Sequence, residues 1–269
     1  MIAAPSEGPD EVVTDGRVGR SEVTIMSLGL VAAVVVYAIP FTRMVFLLLV
    51  TLFHELGHAV VGWLLACPSI PAFDFVYGGG FTHQGQFQPV LAVLIAAAIG
   101  YAVWLFRHNR RSLVVISLVG LVWLILVTKE WRREIAIASA GHAFEFILAG
   151  VMFYQALANV GWRIPELERP LGAFVAFFVQ INAFLFAIRL RNDAGFLDWY
   201  REGKGGALMN DLEVVALDLQ IHLGITTGIR GVAGMLVFFS FVPISAALVW
   251  YFHRRRSHAI LDSLLQAES

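Results

Sequence analysis

Met44-Val45-Phe46-Leu47-Leu48-Leu49-Val50-Thr51-Leu52-Phe53-His54-Glu55-Leu56-Gly57-His58-Ala59-Val60-Val61-Gly62-Trp63 sets two histidines and a glutamate inside an unbroken apolar run. The run has the roughly 20 residues needed to cross a bilayer as a helix. Ionisable groups are costly at that depth, so they need partners or a function there. The rest of the chain has the same character. It is 58% hydrophobic and 14% charged, where a soluble chain of ordinary composition carries about 25% charged residues. Apolar stretches recur near 24–40, 44–66, 89–106, 112–128, 135–157, 171–190 and 229–252. The expected fold is an all-α polytopic membrane protein with six or seven transmembrane helices.

Polar residues punctuate these spans. Residues 1–22, rich in Pro, Gly, Ser and acidic side chains, read as a mobile N-terminal tail. A membrane domain is expected over 23–252, and a C-terminal tail over 253–269. Within the domain, two aromatic-rich alternating runs flank Gly78-Gly79-Gly80 and predict a small β-hairpin over 72–88, after the helix that carries the histidines. The mixed stretch 191–228 reads as an extramembrane polar loop containing a short amphipathic helix near 208–222. Lys and Arg divide almost evenly between the two sides, so charge does not orient the chain. A net charge of −1 offers no basic field for nucleic acid. Cys67 is the only cysteine, which excludes an intrachain disulfide and a cysteine-based metal cluster.

Residues four apart share a helix face, so His54 and His58 can aim both imidazoles at one cation, while Glu55 projects about 100° around the axis toward a water on that cation. Zinc in such a place is a Lewis acid that lowers the pKa of the water toward 7, and a neighbouring carboxylate can take the proton and pass it on. The pattern lacks only a third ligand. The competing reading is that these polar groups merely join helices.

His54-Glu55-Leu56-Gly57-His58-Ala59 in an apolar helix, followed by a glycine-rich hairpin and further spans, resembles the site-two protease family of intramembrane zinc metalloproteases. The resemblance covers residues 44–88 and, more loosely, the remainder. It implies hydrolysis of a peptide bond in or beside the membrane, with His54 and His58 as Zn2+ ligands and Glu55 as the base. The implied partners are membrane lipids and a transmembrane or membrane-adjacent peptide substrate. A bacterial-type inner membrane is the expected location. The family commonly takes its third ligand from an aspartate in a Leu-Asp-Gly sequence near the end of a later span. The nearest counterpart is Asn192-Asp193-Ala194-Gly195-Phe196-Leu197-Asp198, without the final glycine; Asn210-Asp211-Leu212-Glu213 is a second.

A different segment competes on physical grounds. Ser139-Ala140-Gly141-His142-Ala143-Phe144-Glu145 lies in the span 135–157, and an intramembrane carboxylate there needs a counter-charge. Glu145 is therefore the leading third ligand, with Asp198, Asp193 and Asp211 as alternatives. His142 is an accessory residue that pairs with Glu145 or steadies a developing oxyanion. Asp218 and His222, four apart, read as a hydrogen-bonded pair, His83 as an exposed histidine, and Asn182 as a polar residue joining helices or holding a substrate backbone. The departures from the family pattern motivate a second function, a catalytically inactive subunit or scaffold of a membrane-protein complex. An oxidative iron enzyme is a third reading, but only one HExxH and one HxxE are present, and a di-iron bundle usually needs more carboxylates than these supply.

Overall fold

The computed structural model describes residues 19–73, 79–202 and 209–267. Helices α1 (Arg20–Ala38) and α2 (Pro40–Leu64) precede a two-stranded antiparallel sheet of β1 (Ser69–Phe73) and β2 (Gly80–Gln84). Then come α3 (Pro89–Leu105), α4 (Arg110–Val127), α5 (Glu130–Ala158) and α6 (Pro165–Asn192). The short α7 (Ala194–Glu202) and α8 (Asp211–Leu223) lead into α9 (Gly228–Ser240) and α10 (Val242–Ala267). Among the described residues, six stretches are long and apolar enough to cross a membrane: α1, α2, α4, α5, α6 and Gly228–Arg255. The chain is a multi-pass, essentially all-α membrane protein with one small hairpin.

Burial separates the helices that build the interior from those that surround it. Half of the most apolar stretch of α5 and of α6 is buried within the protein, against 6% of that of α4. No residue of α3 is buried. A helix apolar on every side yet exposed in the isolated chain is one that faces lipid. The centre is formed by α2, α5 and α6, with α1 against α6. Gly29 allows that last contact, because a Cβ there would meet the Ala173 Cβ at 2.5 Å and the Phe174 nitrogen at 2.8 Å. Small residues let membrane helices approach this closely. Gly29→Leu is expected to destabilise the fold by about 1–3 kcal/mol, the usual cost of overpacking, as a lower unfolding midpoint in detergent.

Some boundaries differ from expectation for local reasons. Residues 1–18 of the expected tail lie outside the described residues, and Arg20–Glu22 form the first turn of α1, where the Thr24 hydroxyl donates to the Arg20 carbonyl at 2.8 Å. The first strand starts at Ser69 rather than 72. The Gly85 amide donates to the Pro68 carbonyl and that of Gln88 to Ala66, at 2.8 and 2.7 Å, which ties the base of the hairpin to the end of α2. Residues 74–78, including part of the glycine triplet, are outside the described residues. The last span is not one helix. Pro243 cannot donate a backbone hydrogen bond, and the chain restarts at Val242 after a turn at Phe241. With no further glycine or proline to stop it, α10 continues to Ala267, through most of the expected tail.

Candidate metal centre

α2 presents His54 and His58 one turn apart, and α5 crosses them at Gly141. An added Cβ on Gly141 would lie 2.5 Å from Nε2 of both histidines. The missing side chain is thus the space into which the two rings point. Gly57 plays the matching part on α2, since a Cβ there would come 2.5 Å from the Ala140 carbonyl oxygen.

The hydrogen bonds fix which ring atoms are free. His58 Nδ1 is 2.6 Å from the Ile137 carbonyl oxygen, which can only accept, so Nδ1 carries the proton and Nε2 a lone pair. His54 Nδ1 is 2.7 Å from Glu145 Oε1, and its Nε2 is 3.0 Å from Asp211 Oδ2. A neutral imidazole has one N–H. Donated along the shorter contact, to Glu145, it leaves a second Nε2 lone pair directed at Asp211. The same Asp211 oxygen is 3.2 Å from His58 Nε2. Two imidazole lone pairs facing one carboxylate oxygen are repulsive unless a cation, or additional protons, sits among them.

These separations suit a metal. Ligand atoms at 2.0–2.2 Å around a tetrahedral zinc are roughly 3.3–3.5 Å apart, close to the 3.0 and 3.2 Å found here. His54, His58 and Asp211 form one group able to hold a metal ion; His54, His142 and Glu145 form another. The second fits less well, because the His54 to Glu145 distance of 2.7 Å is that of a hydrogen bond rather than of two atoms bound to one ion. The trio expected from sequence, His54 and His58 with Glu145, is not one of the converging groups among the described residues. Glu145 lies one helical turn beyond Gly141 and meets the opposite nitrogen of His54.

Asp211 comes from the loop that the spans left unassigned. It opens α8, where Glu213 Oε2 accepts from the Asn210 amide at 2.9 Å and the Asn210 side-chain amide donates to the Tyr200 carbonyl. The Tyr200 hydroxyl accepts from the Leu212 amide at 3.3 Å. Burial, followed by the Asp211 charge, pushes the Tyr200 phenol above its ordinary value, keeping it neutral. Burial alone would raise the Asp211 carboxyl, but hydrogen bonding by His54 and His58 outweighs it and holds the group well below the usual carboxylate range.

Glu55 points to the hairpin. Its Oε2 accepts from the Thr82 hydroxyl at 2.7 Å, and a Cβ on Gly80 would strike its side chain, so β2 can lie against the carboxylate only with glycine there. His54, Glu55, His142, Glu145, Asn182 and Asp211 line one cavity of about 260 Å³. The Asn182 side chain makes no hydrogen bond among the described residues and borders this cavity.

The other candidates lie elsewhere. Asp193 Oδ1 accepts from the Phe196 amide at 3.1 Å and starts α7. Asp198 is exposed on α7, and His83 is exposed on β2. His222 stacks on Trp131 with ring centroids 5.0 Å apart, and its Nε2 is 3.9 Å from Asp218 Oδ1, beyond the hydrogen bond expected from their spacing. Sequence reasoning missed Gly141, Gly80 and Thr82. For these the only advance signals were the small-residue run Ser139-Ala140-Gly141 and the hairpin's place next to α2.

Fold and site together define a multi-pass membrane protein with buried His and carboxylate groups able to hold a metal ion between its spans. In comparison with known proteins, no family model, no curated protein and no solved structure matches the chain.

Proposed function

We propose that the chain is an intramembrane zinc endopeptidase of the site-two protease kind, with His54, His58 and Asp211 as the ligands and Glu55 as the general base. The observation that carries this reading is the convergence of His54 Nε2, His58 Nε2 and Asp211 Oδ2 beside a cavity that Glu55 also enters. Zinc held there would supply Lewis acidity, polarising a carbonyl and lowering the pKa of water to about 7.

The residues of the chain do the rest. Glu145 accepts the Nδ1 proton of His54, fixing its ring and tautomer in the way outer carboxylates orient metal-binding histidines. Glu55 takes a proton from the attacking water and delivers it to the leaving amine, while Thr82 holds the carboxylate in place. β2 pairs with β1 along one edge, and an extended peptide laid along its other edge would run past Glu55. Asn182 is positioned to bind that backbone. The apolar helices around the cavity make a transmembrane or membrane-adjacent segment the natural substrate.

Glu55→Gln is expected to bind zinc as the wild type does and to lose about 10²–10⁴-fold in cleavage of a fluorogenic membrane-segment peptide in detergent, the usual worth of a positioned base. The inactive-subunit reading predicts that wild type and variant cleave equally little. Equal activity of the two on that peptide would remove Glu55 from the chemistry.

A further inference from the structure

A second cavity adjoins the metal centre and plays no part in holding it. It occupies about 360 Å³ between α5, α8, α9 and the start of α10. No Asp, Glu, Lys or Arg lines it; apart from Ser139 and His142 its wall is apolar, with Ala143, Phe146, Leu212, Met235 and Phe239 among the lining residues. His142 lines both this cavity and the one at the metal centre. His142 therefore borders both a polar chamber and an apolar one.

The position of the walls ties the two chambers together. His142 follows Gly141, whose absent side chain makes room for both Nε2 atoms, and Leu212 follows Asp211. Consecutive Cα atoms are only 3.8 Å apart, so the apolar cavity begins within one residue of the groups that converge at the centre. A void of about 150 Å³ lined by aliphatic side chains accommodates benzene, and this one is more than twice as large.

We infer that this cavity receives a large apolar side chain, of the size of leucine or phenylalanine, from a substrate residue flanking the scissile bond. The inference rests on the peptidase reading and extends it to a preference: charged residues are disfavoured at that position because, apart from Ser139 and His142, only apolar side chains line the cavity. Burial of such a group is worth about tenfold to a hundredfold in affinity.

Hydroxamates that chelate zinc test this without catalysis. Calorimetric titration of the zinc-loaded full chain in detergent would compare acetohydroxamate with analogues bearing an isobutyl or benzyl group. The larger compounds should bind about 10–100-fold more tightly to the wild type. Ala143→Phe and Met235→Trp, at exposed lining positions, should erase that gain while acetohydroxamate binds as before, which also shows that the variants fold. No gain in the wild type, or a gain that both variants keep, overturns the side-chain pocket and leaves the metal centre standing. Failure of acetohydroxamate itself to bind zinc-loaded protein would overturn the peptidase reading and this inference with it.

Discussion

Gly141→Ala is expected to empty the centre of metal without unfolding the helix that carries it. The new methyl group would lie 2.5 Å from Nε2 of His54 and of His58, where both rings must keep their lone pairs clear for a ligand bond of about 2.0–2.1 Å. Neither ring can retreat cheaply. His58 is tied to Ile137 and His54 to Glu145 through their other nitrogens. Two of three ligand bonds are displaced together, so zinc affinity should fall at least about a thousandfold. Helix propensity acts the other way, favouring alanine by about 0.5–1 kcal/mol, and it offsets part of an overpacking cost of about 1–3 kcal/mol. The check is metal content after dialysis, with thermal unfolding measured with and without zinc. Wild type should gain about 4 kcal/mol from zinc at a thousand times its Kd, and the variant almost nothing. Gly150→Ala serves as the control: it is equally tight, with Pro243 Cβ 2.6 Å away, but remote from the centre. It should lose stability and keep its zinc. Loss of zinc in both variants would mean that overpacking of α5, and not intrusion between the rings, is responsible.

The parts of this centre that sequence exposes are those set by one helix. His54 and His58 share a face because of the α-helical period alone, and their depth follows from the apolar run around them. Asp211 could not be singled out in the same way. It lies 157 residues from His54, and only the docking of α8 against α5 and α9 brings it there. Glu145 meets His54 at Nδ1, and a need for counter-charge inside the membrane, which is all that sequence shows for this carboxylate, does not select one ring nitrogen over the other. Asp198 looked attractive beside Leu197, but consecutive positions on α7 face different ways: Leu197 is buried and Asp198 exposed. The spans were legible because length and hydropathy suffice for them. The break near Phe241 was marked by Pro243, whose effect on the backbone is local, although hydropathy runs through it unchanged.

Asp211 and Glu145 should separate cleanly when each is replaced. Asp211→Ala removes a ligand atom from a group of three and is expected to lower zinc affinity by about three orders of magnitude or more, with little effect on the apo fold. Its side chain is 31% exposed, and α8 keeps the bond from Asn210 to Glu213 that begins it. Glu145→Gln preserves shape and a carbonyl oxygen able to accept from His54 Nδ1, but gives up the charge. Changes to such outer partners cost about 10–100-fold in metal affinity, so this variant should still fill stoichiometrically at high zinc. Glu145→Ala goes further, because it leaves a buried N–H on His54 without an acceptor, worth about 1–3 kcal/mol of fold stability. Asp193→Asn and Asp198→Asn should bind zinc as the wild type does. Competition against a chelating dye gives all five affinities on one scale. If Glu145→Gln abolished binding while Asp211→Ala retained it, the metal would belong to the His54, His142 and Glu145 group. Glu55 would then have to act on a centre displaced toward α5, and the role of Thr82 in holding its carboxylate would lose its rationale.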